Sequence, residues 1–410
     1  MSTRTLAATI ALAAMAALSG GAMTSPAKAQ DVKIGLILPY TGPGAELSPE
    51  MDKAIDLYLK LNAARIKPYQ FTIIKRDSKL PNGAAAKIDA QELLTQQKVD
   101  VLAGWIYSPD AIASAPVVTA GKRLAVIMNA GTGFITNLSP YFVRTSFTLW
   151  QSSYVMGEQA AKYLHAKTAV IAYTDYPPGK DARDAFKYAF EHNGGKVLDA
   201  IPAGGPEATP DFTPFFQRAK DEHPDVLFVF VPAGDQATAV IKTYTALGMR
   251  ASGTKLIGTG DIVPDELLQG MGDAAVGLIT VHHYNADLDN PQNKAFVAAW
   301  KQAYGTDSTP NFTSVGAYDG MAAIDHAVHA TKGKIDDGAA AVKSLEGWKF
   351  KSPQGPIEID PQTRDIIMNE YLDEVVKGSD GKLHEKVLKT FHAVKDQCKV
   401  LAIGPCAPKK

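Results

Sequence analysis

Short apolar, β-branched runs recur along the chain: 32–38 (VKIGLIL), 71–75 (FTIIK), 99–104 (VDVLAG), 124–128 (LAVIM), 168–173 (TAVIAY), 225–231 (DVLFVFV), 255–258 (KLIG) and 277–281 (GLITV). Their length and composition are those of strands buried on both faces. Amphipathic segments lie between them. The clearest spans 48–65, with Ser48 as N-cap, Pro49 at the first helical position, and Met51, Ile55, Tyr58 and Leu61 on one face. Alternating strand and helix predicts parallel sheets with crossover helices on both faces, and the chain is too long for one comfortable open sheet. Two doubly wound α/β lobes are therefore expected. The last hundred residues break the alternation: helices over 291–304 and 314–331 precede GPIEID (355–360) and IIMNEYLDEVV (366–376), which read as an antiparallel hairpin pair. A terminal stretch of different character predicts a chain that returns between the lobes, making each discontinuous.

Composition narrows the classes of partner. The 410 residues carry 42 Lys plus Arg against 43 Asp plus Glu, with no basic cluster, so no electrostatic footprint for nucleic acid is present. The first 29 residues combine Arg4, an apolar run over 6–18, and an A-x-A site at Ala27 to Ala29, the pattern of a secretory signal peptide. Its removal takes away Arg4 and Lys28 and moves the net charge from -1 to -3. No later segment approaches the roughly 20 apolar residues of a membrane span. An exported chain whose two cysteines, Cys398 and Cys406, lie close together near the end is expected to bridge them.

Catalytic constellations are weak. The Gly-rich pieces AGTGF (130–134) and GTGD (258–261) lack the third glycine of a dinucleotide fingerprint. His282 with His283, and His326 with His329, bring no third metal ligand. No G-x-S-x-G elbow occurs, and the acids of PDELLQ (264–269) suit a helix start. What remains is binding chemistry at strand-to-helix loops, where helix N-termini offer unpaired N–H groups to anions. Three loops fit: GWIYSPD with Ser108, NAGT with Ala130 and Thr132, and the Pro-rigid turn TDYPPG with Tyr176.

IGLILPYTGPGA (34–45), VDVLAGWIYS, YFVRTSFT (141–148), GDAAVGLITVHHY (272–284), FVAAWKQAYG (296–305), AYDGM (317–321) and SPQGPIEIDPQTRD (352–365) occur in this order over nearly the whole mature chain. In this the sequence resembles the periplasmic solute-binding proteins of the branched-chain amino-acid receptor family. The resemblance implies a type I periplasmic binding protein fold, two α/β lobes joined by a three-stranded hinge that closes like a flytrap. The expected bodies are 30–148 with 282–349 and 149–281 with 350–396, followed by a disulfide-closed tail at 397–410. It further implies a periplasmic, monomeric protein without cofactor or metal, delivering a small carboxylate to the permease of an ABC importer and catalysing nothing. Carried over by position, Ser108 and Thr132 place hydroxyls, and Ala130 a backbone N–H, on the ligand carboxylate. The ammonium half departs from the family: Leu47 and Pro178 stand where tyrosines are common, and Gly260 stands where a glutamate pairs the ammonium, with Asp261 one position on. A cleft that keeps carboxylate donors and lines itself with Leu47, Trp105, Tyr107, Trp150 and Tyr176 predicts an aromatic acid of benzoate or phenylpropanoid type. The alternatives are a branched-chain or other hydrophobic amino acid, should Asp261 replace the anchor, an exported α/β enzyme, or a ligand-sensing module. Arg144 is expected in an interlobe salt bridge, and Tyr318 and Asp319 in structural roles.

Overall fold

The computed structural model describes residues 29–407, so the expected signal peptide lies outside the described residues apart from its last position. Fourteen strands follow in chain order: β1 (Gln30–Leu38), β2 (Tyr69–Asp77), β3 (Val101–Gly104), β4 (Ala125–Ile127), β5 (Phe142–Arg144), β6 (Thr168–Tyr173), β7 (Lys196–Pro202), β8 (Val226–Phe230), β9 (Lys255–Thr259), β10 (Ile279–His282), β11 (Lys349–Ser352), β12 (Gly355–Ile359), β13 (Ile366–Lys377) and β14 (Leu383–Val394). The first five form a parallel sheet in the order β2-β1-β3-β4-β5. The parallel part of the second sheet repeats that order as β7-β6-β8-β9-β10. Its other edge is antiparallel, with β13 between β10 and β12 and with β14 also on β13.

Every predicted apolar run overlaps one of these strands; all but 71–75 fall on interior strands, which must be apolar on both faces, whereas β2 is an edge strand and only half-buried. The predicted hairpin pair is β12 with β13, joined by Glu358 opposite Ile367 and Ile359 opposite Ile366. Helices Ser48–Leu61 and Phe312–Ala330 pack together over the first sheet, and Leu149–Lys162 packs against Pro177–His192 over the second. Ser48 is not the cap: the helix begins on it, and its hydroxyl donates to Pro39 O at 2.5 Å, anchoring the helix start to the end of β1. Leu61 is 52% exposed because the helix ends there and Asn62 turns the chain away.

The chain passes from the first sheet to the second after β5, returns over the first after β10 and rejoins the second at β11. The turn between β12 and β13 is tied back to the first sheet: Arg144 N donates to Arg364 O at 3.0 Å, and the Arg364 guanidinium donates to Phe142 O at 3.1 Å and Thr136 O at 2.6 Å. Gln151, in the first turn of its helix, reaches Ile366 O at 3.0 Å and Val394 O at 2.9 Å. The hinge is thus bound by backbone carbonyls rather than by loose linkers. Cys398 and Cys406 form the expected disulfide, packed on Trp150 and Ala185. Among the described residues no helix is long and apolar enough to cross a membrane.

Candidate functional site

The carboxyl ends of the parallel strands in both sheets face each other, which is where open α/β sheets place ligands. A narrow cavity of about 30 Å³ lies between them. From the first sheet come Ile106, Tyr107 and Ser108 after β3, Asn129 and Gly131 after β4, Phe147 and Leu149 after β5, and Leu47 from the loop after β1. From the second come Tyr176 and Pro178 after β6, Phe230, Pro232 and Ala233 at the end of β8, and Asp261 after β9. Phe312, at the start of its helix, completes the wall. Tyr107, Pro232 and Ala233 also border an outer chamber of about 250 Å³ that includes Gly44, Glu46 and Gln236.

The β3 loop is aimed by its backbone. Gly104 has φ +111°, and a Cβ there would stand 2.5 Å from Ile37 O, so only glycine fits. Trp105 follows at φ +62°, a left-handed residue that costs about 1–3 kcal/mol and sends its ring away from the cavity. The ring packs edge-on to Phe142 at 5.7 Å, and Nε1 donates to Ser114 Oγ at 3.1 Å. Trp105 is therefore a core residue, contrary to the sequence expectation. The same turn leaves Tyr107 and Ser108 facing inward, with Ser108 opening the helix Ser108–Gly121. Its N–H is among those a helix start leaves without an intrahelical acceptor.

Polar groups from the first sheet cluster. Ser108 Oγ accepts from Thr132 N at 3.1 Å, which commits an oxygen lone pair and leaves the hydroxyl proton free to point elsewhere. Asn129 Nδ2 donates to Ile106 O at 3.0 Å, while its Oδ1 is buried without a partner among the described residues. Ala130 corrects a second expectation, since its N–H is spent on Trp105 O at 2.9 Å. Gly131 takes that place in the cavity wall. Thr132 stands just behind, its Oγ1 buried and unpartnered among the described residues. Trp150 is a third correction: it is buried against the disulfide and Ala185, outside the cavity.

Across the cavity, Tyr176 stacks on Phe230 at 6.2 Å, and Phe147 meets Phe312 edge-on at 6.0 Å. Burial raises the Tyr107 and Tyr176 phenols above their ordinary range, so both stay protonated. Asp261 Oδ2 accepts from Thr259 Oγ1 at 2.6 Å, and burial pushes this carboxyl up to about 6. Gly260 does not line the cavity: a Cβ there would meet the His282 ring at 2.5 Å. That close approach brings His282 Nε2 to 3.9 Å from Asp261 Oδ2, and burial holds the imidazole neutral, near 3. Behind it His283 stacks on Phe147 at 4.9 Å. Glu370 on β13 is buried with both carboxyl oxygens unpartnered among the described residues, and burial, then Asp373 and Asp261, raise its pKa. His326 and His329 serve the fold instead, on Ser344 O at 3.2 Å and Asp325 Oδ1 at 3.3 Å.

Sequence reasoning missed Phe147, Phe312, Phe230, Asn129 and Gly131. YFVRTSFT and NAGT were in view, but nothing local in them says which side chain faces a cleft.

Beneath this wall Arg144, fully buried, holds three partners. Nε lies 3.2 Å from Asp365 Oδ1, NH2 donates to Thr132 O at 2.6 Å, and NH1 to Phe147 O at 3.2 Å. This is the structural salt bridge expected of it. Asp319 is likewise structural, accepting from Ser352 Oγ at 2.7 Å and Gln354 Nε2 at 2.6 Å, and Tyr318 packs edge-on to Tyr58 at 5.1 Å.

The two halves also touch beside the cavity, where Gly133 N donates to Asp181 Oδ2 at 2.8 Å. Burial, with Asp396 nearby, pushes Asp181 up to about 7, the Gly133 N–H opposing. In the unfolded chain it titrates near 3.8. The folded protein therefore binds the extra proton between those values, and stability falls as pH rises through that window. Urea midpoints are expected to drop between pH 5 and pH 8, and Asp181→Asn to flatten the slope. A slope unchanged in the variant would assign the effect to the other buried carboxyls raised to about 7, such as Asp110, Asp319 and Asp373.

The model of a family described as periplasmic binding protein matches residues 31–382. The Leu/Ile/Val-binding protein homolog 6 of Brucella melitensis is 39% identical over 382 residues, 93% of this chain and 96% of its own. A solute-binding protein of an ABC transporter from Rhodopseudomonas palustris, crystallised with 3,4-dihydroxybenzoic acid, is 43% identical with a TM-score of 0.85, covering 90% of this chain and 99% of that one. Another from the same species, in complex with 4-hydroxybenzoate, is 38% identical with a TM-score of 0.86, covering 91% and 100%.

Proposed function

This chain belongs to the periplasmic binding protein family, and from that premise we propose that it captures an aromatic carboxylate in the periplasm and presents it to the permease of an ABC uptake transporter. The observation that carries the ligand class is the cavity wall: two aromatic pairs, Tyr176 with Phe230 and Phe147 with Phe312, around a polar cluster built on Ser108, Asn129 and Gly131. Flat rings suit aromatic walls, and hydroxyl and N–H donors at a helix start suit a carboxylate. The benzoate-type ligands of the R. palustris proteins support the same reading. The protein acts as a monomer and performs no chemistry on its ligand. The moving bodies are 30–148 with 282–349 and 149–281 with 350–396, and a ligand touching both favours the closed state.

One observation favours a second reading. Asp261 is in the cavity wall, so a carboxylate is available for the ammonium of a hydrophobic amino acid, as the name of the B. melitensis relative would have it. Thermal shift separates the two. A ligand at 100 times its Kd adds about 2.7 kcal/mol to the native state. Benzoate, 4-hydroxybenzoate and 3,4-dihydroxybenzoate are expected to raise Tm, and leucine, isoleucine and valine to leave it unmoved. A shift with the amino acids alone would overturn the aromatic reading.

A further inference from the structure

We propose that Asp261 is the acceptor for a ring hydroxyl, which makes the site selective for hydroxylated aromatic acids over unsubstituted benzoate; this rests on the aromatic reading above. Thr259 occupies Asp261 Oδ2, while Oδ1 makes no hydrogen bond to another residue among those described. No lysine or arginine among the described residues pairs with this carboxyl. The neutral His282 lies 3.9 Å from Oδ2, and the other titratable groups beside it are the Tyr176 phenol and the acidic Glu370. The second sheet thus presents an uncompensated acceptor to the cavity. It repels the carboxylate of an aromatic acid and so orients it: the acid group lies toward Ser108 and Gly131, and the far edge of the ring faces Asp261. An unsubstituted ring puts a C–H edge against a buried carboxyl and leaves it unpaired, which is costly. A phenolic O–H donates to it instead. The same contact joins the lobes, since Ser108 follows β3 in the first sheet and Asp261 follows β9 in the second.

Discrimination of this kind exceeds that of a purely apolar pocket, because the penalty falls on the site's own polar group. Titration calorimetry on the wild-type mature protein is expected to show 4-hydroxybenzoate binding about 20-fold more tightly than benzoate, a hydrogen bond to a charged group being lost in the weaker complex. Asp261→Ala brings that ratio close to one, with benzoate gaining, and Asp261→Asn, which keeps an acceptor oxygen, retains part of the preference. Circular dichroism establishes that each variant folds. Equal binding of the two benzoates by the wild type, or a ratio that survives Asp261→Ala, overturns this assignment and leaves the aromatic reading standing. Binding of leucine with neither benzoate bound overturns both and gives Asp261 to an ammonium.

Discussion

Replacing Arg144 with alanine is expected to lower the unfolding free energy of the mature protein by about 3–5 kcal/mol, the range for breaking a buried ion pair by removing one partner. The guanidinium is fully buried: NH1 and NH2 donate to Phe147 O and Thr132 O, and Nε sits in ion-pair contact with Asp365. Alanine leaves a buried carboxylate and two carbonyls without these donors. Asp365 keeps Lys399 and Thr136, which places the loss toward the lower end of the range. Lysine does not rescue, because one ammonium cannot satisfy three acceptors arranged for a planar fork. Thr132 and Phe147 belong to the loops that form the cavity wall, so ligand affinity falls with stability in this variant. Urea unfolding at pH 7 checks it. A loss below about 1 kcal/mol would mean that Lys399 alone carries Asp365, and Lys399→Ala would then show the larger effect.

How far the sequence was legible follows from which physics acts locally. Interior strands were readable because burial on both faces demands an unbroken apolar run. Strand β7, with a largely half-buried pattern, and β14 (LHEKVLKTFHAV), which mixes charged and polar residues with apolar ones without a regular period, were not, since an edge strand carries no such demand. β5 and β4 are only three residues each, and β5 was recognised as a motif rather than as a strand. At the site, Ser108, Tyr107, Leu47, Tyr176 and Asp261 line the cavity, and each follows a strand whose end was predictable. The tryptophans went the other way. Trp105 and Trp150 are buried, as their size requires, but burial does not say beside what. Trp105 was decided by a left-handed φ that no composition rule supplies, and Trp150 by the disulfide packed on it. Phe147 and Phe312 meet only because the chain crosses the hinge between them, which is long-range information. For Asp261, the short 3₁₀ turn Gly260–Ile262 supplies the missing direction, seating Gly260 on His282 and turning the next side chain inward.

Ser108→Ala is expected to weaken binding of an aromatic carboxylate about 100-fold, within the 1.5–3 kcal/mol of a hydrogen bond to a charged group together with the loss of a buried partner. The serine holds two positions at once. Its oxygen accepts from Thr132 N, so removing it orphans that N–H and loosens the loop after β4. Its proton, which that bond leaves free, is the donor offered to the ligand at the start of a 14-residue helix, where the dipole favours negative charge. These contributions separate in a cycle with a ligand that lacks the charge. For 4-hydroxybenzaldehyde, which keeps the ring and the hydroxyl, the wild type binds weakly and the variant loses only what the loosened loop costs, a few-fold. If the acid and the aldehyde lose the same factor, Ser108 supports the loop and does not touch the carboxylate. In that case the donors left beside it in the cavity wall are the Ser108 and Gly131 N–H groups, neither of which the substitution removes, and the anion is held by backbone at a helix start rather than by a side chain.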